Sequence, residues 1–175
     1  MLPATATVLV DGVAVTLDEA VAGKEERAWF FYSESDKRDY VLEGSQDAPG
    51  FLADVDRAYL GWRESVAALA AVCEAEGPFD GVLGFSQGAV MAHTLCWLSQ
   101  QTPPDYAADA APWKSLKFAI LCAGFPSRMK EQRDDVRDTM LAMAMPSLHI
   151  SGEHDRNVPP QFHRELAACF DGRFA

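Results

Sequence analysis

Gly84-Phe85-Ser86-Gln87-Gly88 is the stretch of this chain whose residue types and spacing could do chemistry. A serine with glycine two residues before and after it is the sequence form of a nucleophile elbow, a tight strand-to-helix turn that lifts a hydroxyl clear of a sheet. The reason is steric. Serine at the tip takes a strained backbone angle, and the segments on either side crowd together, so both flanking positions call for glycine. The helix that follows points free N–H groups, and the positive end of its dipole, at the place where an oxyanion would form. The implied chemistry is nucleophilic attack by Ser86, with the Gln87 N–H as an oxyanion donor. Taken alone, the five residues also fit an ordinary glycine-rich turn.

The neighbouring elements favour the elbow. Val82, Leu83 and Phe85 read as a buried strand entering the turn. Ala89 to Leu98 is apolar nearly all round, which suits a helix packed deep beside a central strand. Lys117 to Phe125 reads as a second, fully buried strand, and Pro146 to Gly152 as another. Gln161 to Phe170 reads as a helix, as do the charged, then Met- and Ala-rich residues 128 to 145. Over residues 51 to 76, Leu52, Val55, Tyr59, Trp62, Val66, Leu69 and Cys73 recur at three-four spacing, so a helix is expected there, stopped by Gly77-Pro78. Residues 5 to 16 are β-branched and strand-like around Asp11-Gly12. Strands alternating with helices make an α/β fold with a mainly parallel sheet, in one domain. Functional groups in such sheets gather at the carboxyl ends of the strands, where Ser86 and Asp155 both fall.

A serine nucleophile needs a base, and the base an orienting acid. Asp155, in the loop after the strand ending at Ser151-Gly152, is the acid candidate, and a solvated loop carboxylate is the plainer reading. No histidine is an evident base. His93 lies in the helix leaving the elbow, His149 in a strand, and His154 precedes Asp155. His163 follows Asp155 on a helix, where a solvent-facing position is expected. The aromatic run Trp29-Phe30-Phe31 either packs a core or lines an acyl pocket, and the sequence leaves both open.

Composition narrows the class. The 175 residues are 49% hydrophobic, and the net charge of −11 argues against nucleic acid or an anionic membrane as a partner. No apolar run reaches the length of a membrane span, and the N-terminus lacks a signal-peptide pattern, so a soluble cytoplasmic protein is expected. Cys73, Cys96, Cys122 and Cys169 are widely spaced in apolar surroundings. Reduced core cysteines therefore fit better than disulfides or a metal site.

The block Gly77-Pro78-Phe79-Asp80-Gly81-Val82-Leu83-Gly84-Phe85-Ser86-Gln87-Gly88-Ala89 resembles the elbow of the FSH-type serine hydrolases, the family that includes the ovarian-cancer-gene-2-like esterases. Arg27 to Phe31 is similar to that family's aromatic block, Lys117 to Phe125 to its strand ending in Gly-Phe, and Pro146 to Pro159 to its acid block. The resemblance spans roughly residues 8 to 172. It implies an α/β-hydrolase-like fold and a serine esterase acting on carboxylic esters, acyl esters or thioesters, with Ser86, Asp155 and Gln87 in the roles above and no cofactor. Members of the family also carry a first strand ending in a glycine-containing turn and a late Gly-His block. Neither is found between Met1 and Ala175, so the expectation is a fold lacking its first strand and its last strand-helix. Two classes follow: a serine esterase, or an inactive relic of the fold serving as a binding or interaction module. Exposed sheet edges would further predict self-association.

Overall fold

The computed structural model describes residues 10, 28–30, 60–100, 110–127 and 143–171. The strands expected at 5–16, the first part of the helix expected at 51–76, and most of the helix expected at 128–145 lie outside these. The framework comprises α1 (Trp62–Glu76), β1 (Gly81–Phe85), α2 (Gln87–Gln100), a short 3-10 turn (Ala111–Trp113), β2 (Phe118–Cys122), β3 (Ser147–Ile150) and α3 (Pro160–Ala168). The sheet is parallel in the order β1-β2-β3, with Gly84 opposite Leu121 and Leu121 opposite His149.

Helix α2 organises the core. Every residue from Ala89 to Ser99 is buried, and Ala89, Val90, Cys96 and Leu98 are fully so. A helix apolar on all sides can be placed only where other elements surround it. Here the inner face of the sheet (Val82, Gly84, Ala119, Leu121) lies on one side, and Trp62, Val66, Trp113 and Phe170 join the same cluster. The stripe on α1 is buried at Trp62, Val66 and Cys73, as its spacing predicts.

Helix α1 does not run unbroken from residue 51. Leu60 sits in a β-bridge and Gly61 takes a left-handed φ of 81°, and the helix begins at Trp62. The glycine interrupts the backbone while the apolar spacing continues past it. Its C-terminus lies as expected, with Gly77 N–H closing on the Cys73 carbonyl at 2.9 Å.

The strands are not buried on both faces. Leu83 (66% exposed), Phe85 (69%), Leu148 and Ile150 stand open on the side away from α2, with Phe118 half open beside them. Handedness explains this. Right-handed crossovers that step in one direction, β1 to β2 to β3, put their connecting chain on a single face. The four cysteines are all free.

Candidate active site

At the end of β1 the chain turns directly into α2. Ser86 is the pivot, at φ 52°, a left-handed angle that costs an L-residue roughly 1–2 kcal/mol. Its carbonyl accepts the first two bonds of the helix, from Ala89 N–H at 2.9 Å and Val90 N–H at 3.4 Å. The Gln87 and Gly88 amides therefore stand ahead of the hydrogen-bond ladder, at the positive end of the helix dipole. Ser86 itself is half-buried, and its N–H donates to the Cys122 carbonyl at 2.9 Å, tying the turn to β2.

The two flanking glycines answer to different neighbours. A Cβ on Gly84 would fall 2.2 Å from the Gly88 carbonyl oxygen and 2.6 Å from the Ala89 Cα, both backbone atoms that cannot move aside. On Gly88 it would meet only the Trp29 indole Nε1, at 3.3 Å. A third glycine completes the packing: a Cβ on Gly124 would lie 2.6 Å from the Ala89 Cβ and 2.8 Å from Leu166. The β2 tip turns left-handed too. Ala123 has φ 48°, and its N–H donates to the Ile150 carbonyl at 2.8 Å.

Asp155 follows β3. Its Oδ1 accepts from the N–H groups of Asn157 (2.9 Å) and Val158 (3.0 Å), so the carboxylate closes its own turn. The second oxygen, Oδ2, takes no part in those bonds. Two strand spacings, about 10 Å, separate the β1 and β3 ends that carry Ser86 and Asp155. Both therefore lie at the carboxyl end of the sheet, three strand tips linked by main-chain bonds.

The histidines divide differently from expectation. His154 is exposed. His163 is not solvent-facing: it is 6% exposed, buried with Leu166 on the inner side of α3. Its spacing to Leu166 and Phe170, three and seven residues on, is the helical stripe that could have revealed this. His93 on α2 and His149 on β3 pack around the Phe170 ring, with centroids at 6.0 and 5.3 Å. Burial, with His149 nearby, pushes the His93 imidazole down to about 4. Burial and His163 lower His149 in the same way. His93 Nδ1 accepts from the Ser127 N–H at 3.5 Å, so this imidazole is a neutral core group. Among the described residues no histidine nitrogen bonds to Ser86 or Asp155, and no cluster of His, Cys, Asp and Glu is arranged to hold a metal ion. No described helix is long and apolar enough to cross a membrane.

The sequence left one contact invisible. The Gln87 side chain spans 57 and 58 residues of chain: its Oε1 accepts from Trp29 N–H at 2.8 Å, and its Nε2 donates to the Phe30 carbonyl at 2.9 Å. Ser65 Oγ donates to the Trp29 carbonyl at 2.5 Å. Phe30 is buried in the core while Trp29 is only half-buried, against the turn. No local pattern announces a contact of that range.

A parallel sheet whose strand runs through a left-handed serine into a buried helix defines the class: this is an α/β-hydrolase-like protein. The sequence matches the family model for Serine hydrolase (FSH1) over residues 4–175, and the chain belongs to that family. It is 34% identical to Esterase OVCA2 of Danio rerio over 154 residues, covering 87% of this chain and 59% of that protein. To Esterase OVCA2 of Homo sapiens it is 31% identical, over 85% of this chain and 57% of the other. Esterase C25G4.2 of Caenorhabditis elegans is 34% identical over 93% and 64% respectively. The chain thus spans just over half the length of these relatives.

Proposed function

We propose that this protein cleaves carboxylic esters by forming an acyl-enzyme on Ser86, with Asp155 as the orienting acid and the Gln87 N–H as an oxyanion donor. One observation carries the reading: Ser86 holds a left-handed angle at the end of β1, with Gly84 packed on the Gly88 carbonyl and α2 starting at the next residue. A strained non-glycine residue persists only where its surroundings over-determine it.

In the first half-reaction, Ser86 Oγ attacks the ester carbonyl carbon and a base takes its proton. The carbonyl oxygen becomes an oxyanion facing the Gln87 N–H and the helix dipole. The C–O bond to the alcohol then breaks, the alcohol leaves with the proton, and the acyl group stays on Ser86. Water repeats the sequence and releases the acid. The reading requires an imidazole between Ser86 and Asp155, for which Oδ2 is the oxygen outside the Asx turn. The relatives named esterases support the substrate class.

A second reading, an inactive hydrolase fold serving as a binding module, is favoured by the burial of His163 and His93, with His149 half-buried. Fluorophosphonate labelling separates the two, because such probes react with an activated serine. The expected result is an adduct on Ser86, located by mass spectrometry and lost in Ser86→Ala. A folded protein that takes no label would sink the esterase reading in favour of the module.

A further inference from the structure

Resting on the ester-hydrolase reading, we propose that Trp29 is a specificity-determining wall of the Ser86 site that receives the acyl chain of the ester, and that the Gln87 carboxamide is the positioning residue that holds it there.

The aromatic run splits into two roles. Phe30 is 1% exposed and belongs to the core around α2. Trp29, its neighbour, is half-buried, and its indole edge lies 3.3 Å from where a Cβ on Gly88 would stand. Gly88 is two residues from Ser86, so the indole stands beside the turn that presents the hydroxyl. Glycine at this position lets the ring approach, since the one atom its Cβ would crowd is the indole nitrogen.

Trp29 and Phe30 lie outside any described helix or strand, and side chains satisfy their backbone instead. Gln87 supplies both an acceptor and a donor, and Ser65 satisfies the carbonyl between them. A carboxamide does both at once, from two atoms on one rigid plane. Glutamate lacks the donor, methionine lacks both groups, and asparagine is shorter by a methylene. The main chain of Gln87 would stabilise the oxyanion while its side chain fixes the wall, so one residue sets both where the charge forms and what lies beside it.

The acyl chain is the part of the substrate that this geometry favours. The alcohol departs in the first half-reaction, but the acyl group stays bonded to Ser86 Oγ through the second. A ring beside the turn would meet the acyl group in both half-reactions. Each methylene removed from water against an apolar wall is a factor of about four, so two methylenes are about fifteenfold.

The test compares labelling rates at Ser86 for two fluorophosphonates, one with an ethyl and one with a decyl chain. The wild-type chain should favour decyl. Trp29→Ala should lower the decyl-to-ethyl ratio about fifteenfold. Trp29→Phe, which keeps an aromatic face and every backbone bond of the clamp, should keep most of the ratio. Gln87→Met should lower it in the same direction as Trp29→Ala, and Gln87→Glu likewise. Circular dichroism and a thermal melt establish that each variant is folded; if Trp29→Ala fails to fold, Trp29→Leu takes its place. A ratio within about twofold of wild type in a folded Trp29→Ala or Trp29→Leu overturns the proposal while leaving the hydrolase reading intact. If neither probe labels the wild-type chain, the hydrolase reading fails and the proposed wall falls with it.

Discussion

The two ends of the candidate site are built by opposite means. At the β1 end, Ser86 is held by contacts that reach across the fold: Gly84 against the Gly88 carbonyl, Gly124 against Ala89 and Leu166, the Ser86 amide on Cys122, and Gln87 on a segment almost sixty residues earlier. At the β3 end, Asp155 is held by the amides of the next residues in its own loop. One position is locked by sterics against backbone, the other by a short local turn. A strained serine needs many neighbours to stay strained, whereas a carboxylate that accepts two amides is content where it is. The elbow should therefore tolerate almost no change of shape, and the acid loop most changes that keep an acceptor.

The largest expected effect tests the first half of that contrast. Gly84→Ala places a carbon 2.2 Å from a backbone oxygen at the start of a fully buried helix, so strand and helix must separate. The loss should exceed about 4 kcal/mol, which for a domain of this size means little or no cooperative unfolding transition in urea. Gly88→Ala, meeting only a ring edge at 3.3 Å, should cost no more than about 1 kcal/mol. Equal urea midpoints for the two variants would show that the turn is not locked by backbone contact.

Much of this was legible in the sequence because the demands are local. The glycine two residues before Ser86 is needed wherever such a turn packs strand against helix, while Gly88 answers only to Trp29, and the nearly all-apolar run from Ala89 to Leu98 marks a buried helix. What was not legible depends on distant chain. Leu83 and Phe85 are as apolar as any core strand, yet they stand exposed because crossover handedness, not composition, decides which face the connections cover. The spacing on α1 could not show that Gly61 takes a left-handed angle. His163 was expected to face solvent on its helix, although Leu166 and Phe170 mark its side of that helix as the inner one.

The histidines connect the two ends beneath the surface. His93 belongs to the elbow helix and His149 to the strand that carries Asp155, with His163 on the helix after it. In the unfolded chain His93 titrates near 6.5, but in the fold it does so at about 4. Between those values the unfolded state binds more protons, so stability falls as pH drops from about 6.5 to about 4. The total is about 3 kcal/mol, with His149 adding in the same direction. Urea midpoints measured from pH 7 to pH 5 should decline, and His93→Gln, which keeps an acceptor for the Ser127 amide, should flatten the decline. A wild-type profile already flat over that range would mean that the imidazoles are not buried neutral groups at the junction of the two ends.

The smallest effect on stability should come from the acid loop itself. Asp155→Asn keeps an oxygen for the Asn157 and Val158 amides, so the turn survives and the urea midpoint should move by less than about 1 kcal/mol. The same change removes the charge that would hold an imidazolium, and in a serine triad that costs roughly 10⁴ in turnover. Fluorophosphonate labelling of Ser86 should therefore slow by orders of magnitude in a protein that unfolds like wild type. Asp155→Ala, which loses both amide bonds, should lower stability by about 1–2 kcal/mol as well. If Asp155→Asn labels at the wild-type rate, the carboxylate serves only its own turn, and the two ends of the site do not act on one another.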